Sequence, residues 1–108
     1  MAIDEELADR VRSALSARGL EWEEKRMFGS LIFLLGGAIL LGARNGGGLL
    51  VRVDPEESED LLREAGPWYA QVALMGEKDM GPSWLDVSPD ALADDDGLAH
   101  WVDAALRR

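Results

Sequence analysis

One uninterrupted run of seventeen uncharged residues, Met27 to Ala43 (MFGSLIFLLGGAILLGA), sits inside a sequence that is otherwise dense in charge. A membrane-spanning helix needs about twenty apolar residues. This run is shorter and is broken by four glycines, Gly29, Gly36, Gly37 and Gly42, before Arg44 closes it. Each glycine in a helix interior costs about 1 kcal/mol relative to alanine, so length and composition both argue against a span. A phosphate-binding glycine loop would lie between a strand and a helix, often with a lysine and a hydroxyl following. Here Gly46-Gly47-Gly48 leads into Leu49-Leu50-Val51-Arg52-Val53, a strand pattern, and no GKS or GKT occurs.

The pattern instead predicts β-structure. Leu31 to Leu35 and Ala38 to Gly42 are short apolar runs joined by Gly36-Gly37, a dipeptide that tolerates the positive φ of a tight hairpin turn. Asn45-Gly46 is a second turn signal, leading into Leu49 to Val53. The expectation is a three-stranded antiparallel meander. Because the first two strands are apolar on both faces, both faces should be covered, one by helices and the other by a partner subunit.

Helix signals flank this meander. Leu7, Val11, Ala14 and Leu15 mark one face of a helix over Asp4 to Arg18, with Asp4 as cap and Gly19 just beyond the end. Asp54-Pro55-Glu56-Glu57 opens a second helix, in which Glu57 stands where it can reach back to the cap backbone. Leu61, Leu62 and Ala65 form its buried face and Gly66-Pro67 stops it. A third helix follows Asp94-Asp95-Asp96, with Leu98, Trp101, Val102, Ala105 and Leu106 on its apolar face. Ser88-Pro89-Asp90 predicts a capped single turn before it. Between the second and third helices, Trp68 to Met75 and Ser83 to Val87 are strand candidates separated by a turn at Met80-Gly81-Pro82. The fold class is therefore α+β, with element order α-β-β-β-α-β-β-α and an antiparallel sheet packed on helices.

Length and composition fit one globular domain over residues 1–108, since 47% of residues are hydrophobic and 30% charged. There are no cysteines, which removes disulfides, thiolate metal sites and cysteine nucleophiles together. The net charge of −10 disfavours direct binding to nucleic acid or to anionic membranes, and it suits a basic or neutral protein partner. The N-terminus lacks the basic start and apolar run of a signal peptide, so the expected location is cytoplasmic.

Arg26-Met27-Phe28-Gly29-Ser30, followed by an apolar hairpin and then LLVRVDPE, resembles the N-terminal domain of the TfoX/Sxy competence-regulator family. The resemblance continues through Met80 and the strand at Trp84 to Val87. It ends on an acidic stretch before a WV-type helix, Leu98 to Leu106, so it covers the chain from about Ala14 onward. It implies an α-β(3)-α-β(2)-α fold similar to type III secretion chaperones, and a homodimer. For members with both family domains it also implies coregulation of competence genes alongside the cyclic-AMP receptor protein. The expectation here is a single-domain member, with Ser30 standing where the usual motif has its second glycine.

Arg26, Met27, Phe28 and Gly29 carry this signature and are candidate interaction residues, although Met27 and Phe28 also suit anchoring of the first helix to the sheet. Trp68 and Tyr69 are candidates for an edge or interface, where amphipathic aromatics concentrate, whereas core packing is expected for Trp84 and Trp101. His100, the only histidine, should point away from the apolar face of its helix. None of the six serines lies in a GxSxG elbow. Asp94 to Asp96 read as a helix cap rather than a calcium loop. No catalytic residue, metal or cofactor is expected. The functional expectation is a non-enzymatic protein–protein interaction module, and the alternative is a small-molecule-binding or enzymatic domain with a pocket between sheet and helices.

Overall fold

The computed structural model describes residues 5–27, 29–44, 47–66, 69–75, 78–79, 81 and 83–107. Helix α1 spans Glu5–Ala17, and strands β1 to β4 follow at Glu23–Met27, Ser30–Leu35, Ala38–Arg44 and Leu49–Arg52. Helix α2 covers Pro55–Ala65. After it come β5 (Ala70–Val72), β6 (Leu74–Met75), β7 (Lys78–Asp79) and β8 (Trp84–Val87). A 3-10 turn at Pro89–Leu92 precedes α3, Asp95–Leu106. Six strands form one antiparallel sheet in the order β1-β2-β3-β4-β8-β5, while β6 and β7 pair only with each other. The α+β class and the expected strand order are both present, extended at the front by an edge strand, β1, and late in the chain by the small β6–β7 hairpin.

The glycines of the apolar run do different jobs. Gly36 and Gly37 take φ of 58° and 85° at the β2–β3 turn, as a two-residue hairpin between right-twisted strands requires. Gly42 does not end its strand. It lies mid-strand between Ile32 and Leu50 in register, and a Cβ there would meet Ile32 Cδ1 at 2.7 Å. The strand thus continues to Arg44, and Gly42 provides a notch into which Ile32 packs. The Asn45-Gly46 turn signal falls outside the described residues, as do the Asp4 cap, Pro67, and Met80 and Pro82.

Cross-strand registers divide the sheet residues cleanly between two faces, because successive side chains alternate. On one face Leu31, Ala43, Leu49, Val87 and Ala70 form a row across five strands, and Phe33, Leu41, Val51, Leu85 and Val72 form the next. All of these except Val72 are buried. They pack in one cluster with Leu7, Val11 and Leu15 of α1, Leu61 of α2, and Leu98, Trp101 and Val102 of α3. The core therefore lies between the sheet and a single layer of helices.

Helix ends follow sequence chemistry. At the end of α1, Gly19 N–H donates to Ser16 O and Leu20 N–H to Leu15 O, with Gly19 at φ 70°, the paired bonds of a Schellman motif. Asp54 caps α2 by accepting from Glu56 N–H at 2.9 Å, and Asp94 caps α3 by accepting from Gly97 N–H at 2.7 Å. Glu57 does not reach back to its cap. Its Oε1 accepts from Arg107 Nε at 3.3 Å, which ties α2 to the end of α3, and its buried Oε2 has no hydrogen-bond partner.

The expected strand over Trp68 to Met75 is divided. Val72 is the last residue in register with β8, opposite Leu85, and Ala73 N–H still donates to Trp84 O at 2.9 Å. Since β8 begins at Trp84, Leu74 has no partner in that sheet, and it turns to pair with Asp79.

Helices α1 and α3 lie side by side and run the same way. Arg10 pairs with Asp95 at 3.3 Å and Arg18 with Asp103 at 2.9 Å, each pair joining residues 85 apart in sequence. Arg18 lies one residue past α1, and Asp95 and Asp103 are about two turns apart on α3, roughly 12 Å.

Candidate interaction surfaces

The helices cover one face of the sheet only. Ile32 and Leu34 of β2, Ile39 of β3, Leu50 of β4 and Trp84 of β8 belong to the other face, and none of them joins the cluster under the helices. Ile32 is nonetheless buried, through the Gly42 notch, while the other four are half-buried. The row through Ile32 runs Lys25, Ile32, Gly42, Leu50, Asp86, Gln71. Asp86 is joined to Arg44 by a 2.7 Å ion pair, and the Arg52 guanidinium sits 5.6 Å from the centre of the Trp84 ring, within range of a cation–π contact. Trp84 therefore departs from its expected core position, because Leu85 beside it takes the helix-facing side. Trp101 is in the core, 2% exposed.

The sheet edge next to this face is guarded by charge. In β1, Glu23, Glu24, Lys25 and Arg26 are all exposed, the composition that keeps an edge strand from pairing with another chain. The two side chains on the helix side of β1 also fasten it to α1. Arg12 donates from Nε and Nη2 to the two oxygens of Glu24, each at 2.9 Å, and from Nη1 to Asp9 at 2.6 Å. The Trp22 indole donates to Glu24 at 2.9 Å. Hydrogen bonding from Arg12 above all, assisted by Trp22 and opposed by burial, holds the Glu24 carboxyl below its ordinary range, and the same contacts raise the Arg12 guanidinium.

Within the family-type motif, Arg26 reaches α1 through a 3.3 Å contact with Glu5, whereas Met27 faces Ser30 in register and so lies on the open side. The helix-anchoring role expected of Met27 thus belongs to Arg26 and Glu24. Gly29 takes φ 71° between β1 and β2, so the motif is a hairpin turn. Phe28 lies outside the described residues, as does Trp68. Tyr69 precedes β5, is 44% exposed, and accepts from Ser88 N–H at 2.8 Å through its carbonyl oxygen. Since β1 and β5 are the two edges of a six-stranded sheet, five inter-strand steps, about 24 Å, separate Arg26, Met27 and Gly29 from Tyr69. The described candidates therefore lie apart, Tyr69 from the other three.

Concavities among the helices include two that bear on these candidates. A groove of about 790 Å³ between α1 and α3 has Ala14, Leu98 and Ala99 in its lining, with Arg10, Arg18 and Asp95 beside them. A smaller hollow of about 340 Å³ is lined by Glu64, Ala65, Tyr69, Ala91, His100 and Trp101. His100 is exposed as expected, its ring edge-on to Trp101 at 5.0 Å. Sequence reasoning named Tyr69 but missed Glu64 and His100 as its neighbours, because they come from helices separated by the β5–β8 region. Among the described residues no helix is long and apolar enough to cross a membrane.

These features define an α+β domain with one helix-covered sheet face and one open face. The chain belongs to the TfoX N-terminal domain family, whose model matches residues 13–108. Neither the comparison with curated proteins nor that with solved structures gave a match.

Proposed function

We propose that the domain is a non-enzymatic, cytoplasmic protein–protein interaction module that pairs with a second copy of itself through the open sheet face. It would act on transcription through a protein partner rather than by touching DNA. The observation that carries this reading is the half-buried apolar set Leu34, Ile39, Leu50 and Trp84 on a face without helices. Apolar area of that kind is stabilised by a partner surface. The charged edge strand β1 directs pairing to the face rather than the edge. A competence-type regulatory role is what family membership suggests, and the net charge of −10 fits recruitment of a basic protein better than binding to phosphates.

Light scattering and sedimentation test the pairing. The expected result is a dimer that dissociates when Leu34 and Leu50 are both replaced by glutamate, with helix content unchanged. A monomer at high micromolar concentration in the unsubstituted protein overturns the reading. A salt-sensitive gel shift of duplex DNA by the isolated protein would overturn the protein-mediated route.

A further inference from the structure

The hollow bounded by α2, Tyr69, the 3-10 turn and α3 combines three features that favour a cation. Tyr69 is the one large apolar side chain exposed among the described residues, and it is among the residues that line the hollow. Glu64, His100 and the buried Trp101 line the same hollow, with the His100 ring edge-on to Trp101. Aromatic faces attract cations through their quadrupole. Glu64 and Ala65 also belong to the last turn of α2, where the helix dipole presents partial negative charge.

Among the described residues no resident cation answers these features. The lining contains neither lysine nor arginine among the described residues. Arg63, in the same helical turn, is turned back to Glu59 at 3.5 Å and Asp60 at 3.1 Å. Arg107, at the end of α3, is committed to Glu57. The site is thus complementary to a positive group from outside the chain.

We infer that this hollow receives an arginine side chain of a basic protein partner, its guanidinium stacked on Tyr69 and paired with Glu64. A planar guanidinium satisfies both contacts at once, stacking through its face and donating through its edge, whereas an ammonium is more strongly hydrated and has no planar face to stack. Arginine is also enriched among the anchoring residues of protein interfaces. This inference rests on the reading of the domain as an interaction module, and it names a surface on the opposite side of the sheet from the one proposed for self-pairing.

The test is an NMR titration of the whole chain with acetyl-arginine methylamide, using the uncharged citrulline analogue and the lysine analogue as controls. The expected result is a set of shifts at Tyr69, Ala91, His100 and Trp101, with a dissociation constant on the order of millimolar. Citrulline should give none, and lysine should bind several-fold more weakly. Glu64→Gln and Tyr69→Ala should each weaken arginine binding by about tenfold, on the scale of one charged or cation–π contact, while their unfolding midpoints match the parent. Absent shifts, equal shifts with citrulline or lysine, or binding untouched by Glu64→Gln would each overturn the inference. Self-pairing is read separately by light scattering. Persistence of the dimer when the titration fails sinks this inference alone, and a monomer that still binds arginine sinks only the self-pairing.

Discussion

The two faces of the sheet share the same strands but are built to different rules. On the covered face the rows through Leu31 and Phe33 are apolar at every strand from β2 to β5, and helices close them off. On the open face the row between them mixes a buried isoleucine, a glycine, a half-buried leucine and an ion-paired aspartate. A face designed only for water would carry polar residues throughout. This one sets Ile32, Leu34, Ile39 and Leu50 beside the charged Arg44, Arg52 and Asp86, so apolar and charged side chains share the same face.

The sharpest way to break this contrast is to empty each face in turn. Phe33→Ala should cost about 3–5 kcal/mol, because the ring is fully buried and a cavity remains. Leu50→Ala on the open face should cost about 1 kcal/mol in dilute solution, in proportion to its partial burial. Urea unfolding at low protein concentration measures both, and equal losses would erase the distinction.

Glycines give a finer comparison. A Cβ on Gly97 would collide with the backbone carbonyl of Ala91, which cannot move without displacing the 3-10 turn from α3. Gly97→Ala should therefore cost about 1–3 kcal/mol. The obstacle at Gly42 is the flexible end of Ile32, and Gly42→Ala should cost less than about 1 kcal/mol as Ile32 changes rotamer. Thermal unfolding ranks the two, and the reverse order would show that the notch is the tighter joint.

The smallest effect concerns the β1 fastening. Arg12 lowers the Glu24 carboxyl in the folded state, so its contribution is fully present above the ordinary carboxylate range and is lost as the pH falls from there through the depressed folded-state value. The Glu24 side chain is 29% exposed, and solvent screening keeps the contribution below about 1 kcal/mol. Glu24→Gln should lower stability at pH 7, have a shrinking effect as the pH falls through the depressed folded-state value, and flatten the acid limb of the stability curve. An unchanged limb would show that the pair is neutral to folding.

Most of the covered face was legible in the sequence, because its signals are local: caps at Asp54 and Asp94, the Gly36-Gly37 turn, and apolar periodicity in α1 and α3. Strand β1 was not legible. Its sequence EEKRM has no apolar alternation, and it becomes a strand only by pairing with β2 and by ion pairing to α1. The facing of Trp84 was hidden for a related reason, since both Trp84 and Leu85 are apolar and only the register with Arg52 and Val51 decides which one turns to the helices. The separation of Met27 from Tyr69 depends on strand order, with β8 inserted between β4 and β5, and no local pattern encodes that order.

The side-by-side arrangement of α1 and α3 has a kinetic consequence. Strands β1 to β4 pair with their neighbours in sequence and can form early, but the lacing of Arg10 to Asp95 and Arg18 to Asp103 spans 85 residues, and contacts that distant in sequence form late. During synthesis the apolar stripe of α1 must wait beside an unfinished sheet until residues 95–106 have left the ribosome. The final helix therefore acts as the closing step of assembly, and until it arrives the nascent domain exposes the side chains that later become its core.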